Sequence, residues 1–293
     1  MNAFTIKDLE NLTGIKAHTI RIWEQRYQFL KPKRTDTNIR YYTNEELKKV
    51  LNIALLNKYG YKISHIDKMG EEKVNEKLLS LNQTQAQQER LINELIKHMV
   101  ELNIDMFDEV LHNFISTRGI ERTINQIIFP FLEKIGMLWI TNHINPAQEH
   151  IVTNIIRQKI IVGIETVSTS LKVNKTVLMF LPEGEFHEIS LLFMHFIFKS
   201  RGINVIYLGA NVPLKDVAYT MQAKNPHFIF SHITSMGSAF NFEKFITNAV
   251  KLFQQTPFIV SGYLTHSYEK KIPSTVNFKK SFTEVMEFVG QIQ

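Results

Sequence analysis

Two residues apart, Glu185 and His187 have the types and spacing for metal chemistry. A carboxylate that takes one imidazole N–H fixes the ring and turns the other nitrogen toward a metal. The pair lies in Pro182-Glu183-Gly184-Glu185-Phe186-His187-Glu188-Ile189-Ser190, directly after the apolar run Thr176-Val177-Leu178-Met179-Phe180. No G-x-G-x-x-G occurs there, which argues against a dinucleotide site. A second constellation is Trp139, nine intervening residues, then Glu149-His150. Alone it says little, because a tryptophan beside a loop usually packs and a Glu-His pair often opens a solvated helix. A third is a set of basic side chains near the amino terminus. Of the 34 Lys and Arg residues, 13 lie in residues 1–70 against 7 acidic ones, so the whole net charge of +6 falls in that segment. A positive field confined to one small module suits a polyanion, since each neutralised phosphate releases condensed counterions.

These groups need elements to position them. Near the amino terminus Phe4, Ile6, Leu9 and Leu12 share a helical face that Thr13-Gly14 interrupts, and a second helix is expected from about Lys16 to Tyr27. Two short helices joined by a glycine turn suit a helix-turn-helix, whose second helix enters the major groove by its amino-terminal part. Lys16, His18, Thr19 and Arg21 lie there, away from the apolar side formed by Ile20, Trp23 and Tyr27. Turn formers at Asp36 to Asn38 predict a hairpin wing ending at Tyr42, and Thr43-Asn44-Glu45-Glu46 resembles the start of another helix.

Residues 71–88 read as a linker or weak helix, and no heptad seam follows that could form a dimerising coiled coil. Four helical patterns then suggest a bundle over residues 89–172. Over residues 173–293 the runs at Thr176, Val205, Phe228 and Phe258 each precede a segment of helical character. That alternation predicts a parallel, doubly wound α/β domain with ligands at the carboxyl ends of its strands. The loops of interest follow Phe180, Leu208, Phe230 and Val260. The fold class expected is thus multidomain α and α/β. The chain has no cysteine, hence no disulfide or thiolate metal site, and its beginning, MNAFTIKDLE, has no apolar leader. A cytoplasmic protein without membrane spans is expected.

The run Thr19-Ile20-Arg21-Ile22-Trp23-Glu24-Gln25-Arg26-Tyr27, with Leu30-Lys31-Pro32-Lys33-Arg34 and Arg40-Tyr41-Tyr42, resembles the MerR family of transcription regulators. The likeness covers about residues 4–70. It implies that Lys16, His18, Thr19 and Arg21 meet double-stranded operator DNA from the helix, and that Arg34, Arg40, Tyr41 and Tyr42 reach phosphates from the wing. Trp23 is expected in the core. Asn38 stands at the wing turn where the family often has glycine, and asparagine also tolerates a left-handed conformation.

Glu185-x-His187, Ser231-His232-Ile233-Thr234 and Ser261-Gly262, in that order, resemble the cobalamin-binding domain. The likeness implies a flavodoxin-like, Rossmann-type sheet in which His187 ligates cobalt, Glu185 orients it, and the displaced nucleotide tail passes Ser190, Ser231, Thr234, Ser261 and Gly262. Ser190 and Ser261 stand where that family has glycine. MerR domain, helical cap and cobalamin fold together resemble the CarH/LitR-like group of light-responsive repressors. In that group Trp139 would cover the adenosyl group of adenosylcobalamin, Glu149 would contact its sugar and His150 would help form the pocket. Ile140 occupies the place of a histidine said to capture the upper cobalt face after photolysis, and His143 lies nearby.

The resemblance implies a regulator, not an enzyme, whose homodimer or homotetramer binds DNA in the dark and dissociates when light breaks the cobalt–carbon bond. Two alternatives stand beside it. Ser190 and Ser261 would suit a carboxy-terminal domain that has lost the cofactor and acts through protein contacts. The same domain pair also serves corrinoid enzymes and methyl carriers, although no residues are left over for a separate catalytic domain.

Overall fold

The computed structural model describes residues 3–140, 144–169, 172–234 and 240–292, and within that set the side chains of Trp139 and Ile140 are not described. The chain divides into two compact units, Met1–Ile156 and Arg157–Gln293. The division falls inside a helix, and so earlier than the expected change at residue 173.

Unit 1 begins with α1 (Ile6–Thr13) and α2 (Ala17–Arg26). Thr5 starts α1 with a capping box: its amide donates to the Asp8 carboxylate at 2.6 Å, and its hydroxyl accepts from the Asp8 amide. Gly14, at φ +75, ends the helix in the left-handed region. Strands β1 (Lys33–Arg34) and β2 (Arg40–Tyr41) form the antiparallel wing, with Lys33 opposite Tyr41 and Arg34 opposite Arg40. Asn38, at φ +64, takes the left-handed turn position as expected. Then come α3 (Asn44–Lys58), opened by a Thr43–Glu46 capping box, and the single turn α4 (Ile63–Ile66).

Residues 71–88 do more than link. They hold α5 (Glu71–Leu79) and the first turn of α6 (Thr84–Glu101). Leu78, Leu81 and Ala86 are buried in one cluster with Trp23 of α2 and Ile53 and Leu56 of α3. The polar composition that suggested a linker describes the outer faces, while these few apolar residues bury apolar area that favours folding. The bundle continues with α7 (Ile104–Arg118), α8 (Ile120–Thr123), α9 (Phe129–Ile140) and the start of α10 (Pro146–Thr166). A π-helical stretch at Ile124–Ile128 joins α8 to α9. Phe107 and Phe131 meet in its core with ring centroids 5.5 Å apart. No described helix is long and apolar enough to cross a membrane.

Unit 2 alternates strands and helices: β3 (Thr176–Pro182), α11 (Ile189–Ser200), β4 (Asn204–Val212), α12 (Leu214–Lys224), β5 (Phe228–His232), α13 (Phe242–Phe253), β6 (Phe258–Ser261), β7 (Val276–Lys279) and α14 (Phe282–Gln291). The sheet is parallel, in the order β4-β3-β5-β6-β7. β3 lies inside the sheet between β4 and β5 and is buried along almost its whole length, and Phe180 stacks on Phe258 with centroids 6.0 Å apart. Strand order reverses on either side of β3, so the switch point lies at the carboxyl ends of β3 and β5, where ligands of such sheets bind. The edge strand β7 was not among the expected strands. Val276-Asn277-Phe278-Lys279 alternates buried and partly exposed residues instead of forming an apolar run.

If residues 71–88 complete the core of the DNA-binding region, Leu81→Ala should cost about 2–5 kcal/mol. Chemical denaturation followed by the Trp23 fluorescence of a Trp139→Phe background measures it; an unchanged midpoint would contradict the assignment.

Candidate functional site

The loop after β3 places Glu185 at 0% exposure. Its Oε1 accepts the backbone N–H of His187 at 2.9 Å and faces the ring Nδ1 of His187 at 2.6 Å. Its Oε2 accepts the backbone N–H of Thr234, in the loop after β5, at 3.1 Å. One buried carboxylate therefore holds the imidazole and ties together the two loops that flank the switch point. The His187 side chain is 61% exposed. The anchor extends to β4: Asn211, at φ +58, donates its amide to the Glu185 carbonyl at 3.1 Å and accepts from the Gly184 amide at 2.9 Å. On the other side of His187, the Glu188 carboxylate meets Arg157 of α10 at 2.5 Å and accepts the Tyr207 hydroxyl at 2.9 Å. Burial, reinforced by Glu188, pushes the Tyr207 phenol pKa up, so it remains a donor.

Ser231 and Ser261 are buried at the ends of β5 and β6. His232, which motif reading passed over, lies 2.8 Å by its Nδ1 from the Ser261 hydroxyl. Burial lowers its pKa to about 4 against a smaller opposing pull from Glu185, so the ring is neutral. Gly262 sits at φ +101, and a Cβ there would stand 2.3 Å from the Ile233 carbonyl oxygen. Contact between the two loops alone therefore requires glycine at this position. Ser190 is half-buried in the first turn of α11.

In unit 1, Asn145, Pro146 and Gln148 start α10. The Asn145 side chain accepts the Ala147 amide at 2.9 Å, and the Gln148 side chain accepts the Asn145 amide at 2.9 Å. Buried Gln148 also donates to the Val100 carbonyl at 2.9 Å, fastening α10 to the end of α6. This anchor was legible as a capping pattern but was not singled out. Glu149 accepts from the Thr153 hydroxyl at 2.7 Å, and its other oxygen lies 3.1 Å from Nδ1 of exposed His150. Trp139 and Ile140 end α9, with side chains outside the described set, and His143 lies outside the described residues altogether.

The basic face of unit 1 follows the expected division. Lys16, His18 and Arg21 are exposed on and before the amino-terminal half of α2, Thr19 is half-buried beside His18, and Arg34 and Arg40 are exposed on the wing. Arg34 donates to the Asn38 side chain at 2.6 Å, which holds the wing tip. Trp23 is buried, as expected. Tyr42 needs correction as a phosphate contact. It is fully buried, pairs its backbone with Phe4 in a small bridge and donates its hydroxyl to Glu24 of α2. Burial, then Glu24, pushes that phenol's pKa up. Alternation along β2 sends Tyr42 inward and leaves half-buried Tyr41 on the outer side. Glu24 also lies 3.6 Å from Arg40, so α2 and the wing are braced together.

Residues 4–73 match the family model of the MerR HTH family regulatory protein, and residues 91–162 match that of the B12 binding domain. The chain therefore combines a MerR-type helix-turn-helix region with a region of the B12-binding type. Among characterised proteins it is similar to the HTH-type transcriptional repressor CarA of Myxococcus xanthus, 24% identical over 98% of this chain and 96% of that protein. It is equally similar to the HTH-type transcriptional repressor CarH of the same organism, at 24% identity over 91% of each. Among solved structures, the Methanosarcina barkeri monomethylamine corrinoid protein aligns with 70% of this chain and 99% of its own at a TM-score of 0.58 and 13% identity, a likeness of fold.

The residues present fit a cobalamin. Imidazole is a cobalt donor, and because a corrin brings its own ring nitrogens to the metal, His187, oriented by Glu185, would suffice as the protein ligand. Among the described residues no three His, Asp or Glu side chains converge as a separate metal site. Among the described residues the buried hydroxyl oxygens of Ser231 and Thr234 have no hydrogen-bond partner, which leaves two polar atoms for a ligand where buried groups are normally paired.

Two outcomes follow. Arg40→Ala should flatten the salt dependence of DNA affinity by about one unit, whereas Tyr42→Phe should lower stability by about 1–3 kcal/mol and leave that slope unchanged. Salt titrations of DNA binding and thermal melts separate them, and an equal slope for Arg40→Ala and the parent would refute the wing contact. In unit 2, His232 and His195 both have folded pKa values near 4, the latter mainly through burial, below the unfolded value of 6.5. The unfolded chain then binds more protons, so stability is complete above about pH 6.5 and falls as pH drops toward 4. Replacing His232 with Gln should blunt that fall in an acid titration; an unaltered pH profile would contradict it.

Proposed function

We propose that this chain is a repressor whose grip on operator DNA is governed by adenosylcobalamin and released by light. The observation that carries the reading is the buried Glu185 carboxylate. It holds His187 and Thr234 from both sides of the switch point in a chain whose other segments match a MerR regulator and a B12 binding domain.

In this reading His187 would give its imidazole to cobalt, with Glu185 fixing the ring and strengthening it as a donor. Ser231 and Thr234 would offer their hydroxyls to the nucleotide tail, and Ser190, Ser261 and Gly262 would line its path. Trp139 would shield the adenosyl group, Glu149 would accept hydrogen bonds from its sugar hydroxyls, and His150 would complete that pocket. When bound, adenosylcobalamin supplies a cobalt–carbon bond that light can break. The chain's own part is to bind better in one assembly state than another, since a ligand shifts an equilibrium only by its differential affinity. Lys16, His18, Thr19 and Arg21 on and before α2 read the operator, and Arg34, Arg40 and Tyr41 bind the backbone from the wing. Each wing and helix covers one half-site, so affinity depends on pairing into a homodimer or homotetramer.

Mixed with adenosylcobalamin in the dark, the purified chain should elute with a corrin spectrum, bind operator DNA tightly and lose both its assembly and its DNA after green light. His187→Ala should remove the light response while leaving the MerR-type region folded. Absence of a corrin spectrum from the dark-eluted parent chain would reject the proposal.

A further inference from the structure

A cleft of about 340 Å³ opens in unit 1 where the first turns of α6 meet the end of α7 and the stretch following α8. Three guanidinium groups line it: Arg90, Arg118 and Arg122. The side-chain amides of Gln87, Gln88 and Gln126 add further donors, and no carboxylate is among its described lining residues. None of the three arginines is in an ion pair among the described residues, and the Nε of Arg90 is buried without a hydrogen-bond partner. A buried guanidinium N–H is ordinarily paired, so an unpaired one beside an open cleft points to a ligand the protein does not itself supply.

Local helix electrostatics lead to the same place. Arg122 lies in the first turn of α8, after the helix start at Gly119, where a cation opposes the helix dipole. Arg118 ends α7, where a cation is favourable, but Arg90 and Arg122 have no such local reason for their positions. The α6 amino terminus has no side-chain cap from Gln83, so its first amides face the same region with a partial positive charge. Leu91 and Phe114 give the cleft an apolar wall. The cleft is not the upper cobalamin pocket. Trp139 is at the end of α9 and Glu149 at the start of α10, whose Gln148 bonds Val100, whereas the cleft's α6 lining ends at Leu91, about 14 Å away along α6 at 1.5 Å per residue.

We propose that this cleft binds a small phosphorylated molecule, its phosphates on Arg118, Arg122 and Arg90 and its apolar part on Phe114 and Leu91. Ala86, in the first turn of α6, packs in the cluster that seats Trp23 of the recognition helix α2. A ligand that stiffens this turn would thereby steady the DNA-reading helix, independently of cobalamin. Phosphate could come instead from the DNA backbone, but a recessed cleft with an apolar wall suits a free molecule better than a duplex, which the exposed wing already meets.

Calorimetry on the full chain without DNA, using inorganic pyrophosphate and ADP as probes, tests the proposal. Saturable binding is expected, weakened about ten-fold in Arg122→Gln and in Arg118→Gln, the loss of one charge-assisted contact. Both side chains are exposed, and circular dichroism confirms that the variants fold. No saturable binding of either probe overturns the proposal, as does equal binding by parent and variants. Failure to bind the probes together with a flatter salt dependence of DNA affinity in the variants would also overturn it and assign the cleft to the DNA backbone.

Discussion

The buried carboxylate of Glu185 is the constraint on which unit 2 turns. A carboxylate without water is tolerable only when its oxygens are fully engaged, and this one binds the His187 amide, the His187 ring and the Thr234 amide. Those partners come from the loops after β3 and β5, neighbouring strands inside the sheet. The same contacts that satisfy the buried side chain therefore fix the separation of the loops and the orientation of the imidazole. Asn211 fastens the turn to β4 from one side, and Arg157 and Tyr207 hold Glu188 from the other. A ring held this way has its orientation fixed before any ligand arrives.

Unit 1 is built on a comparable economy of buried anchors. Tyr42 and Glu24 join the wing to α2, and Trp23 joins α2 to Leu78, Leu81 and Ala86 beyond the expected domain boundary. The recognition helix consequently rests on residues that belong to the start of the bundle. Gln148 closes the other end of that bundle by tying α10 to the last carbonyls of α6. The beginning of α10 is thus joined through α6 to the cluster that seats α2.

Much of this was legible in the residues because function there is coded locally. The basic excess, the run from Thr19 to Tyr27 and the Glu185-x-His187 spacing each lie within a single element or loop. Asn38 at the wing turn was legible for the same reason, since few residues accept a positive φ. What escaped depended on tertiary pairing. Tyr42 looked like an exposed contact until strand alternation and Glu24 turned it inward. The polar stretch over residues 71–88 hid three apolar anchors, and β7 carries too few apolar residues to announce a strand. His232 and Asn211 act by hydrogen bonds to residues 29 and 26 positions away, a relation no local pattern displays.

The central claim is that His187 is the cobalt ligand, and electron paramagnetic resonance of the chain loaded with cobalamin in the cobalt(II) state tests it most directly. One axial nitrogen splits the signal according to its nuclear spin. Protein labelled with 15N-histidine should change that splitting from the pattern of the common isotope to that of the heavy one, and His187→Ala should abolish the change. An identical splitting in labelled and unlabelled protein would show that the axial nitrogen belongs to the cofactor's own base and contradict the account.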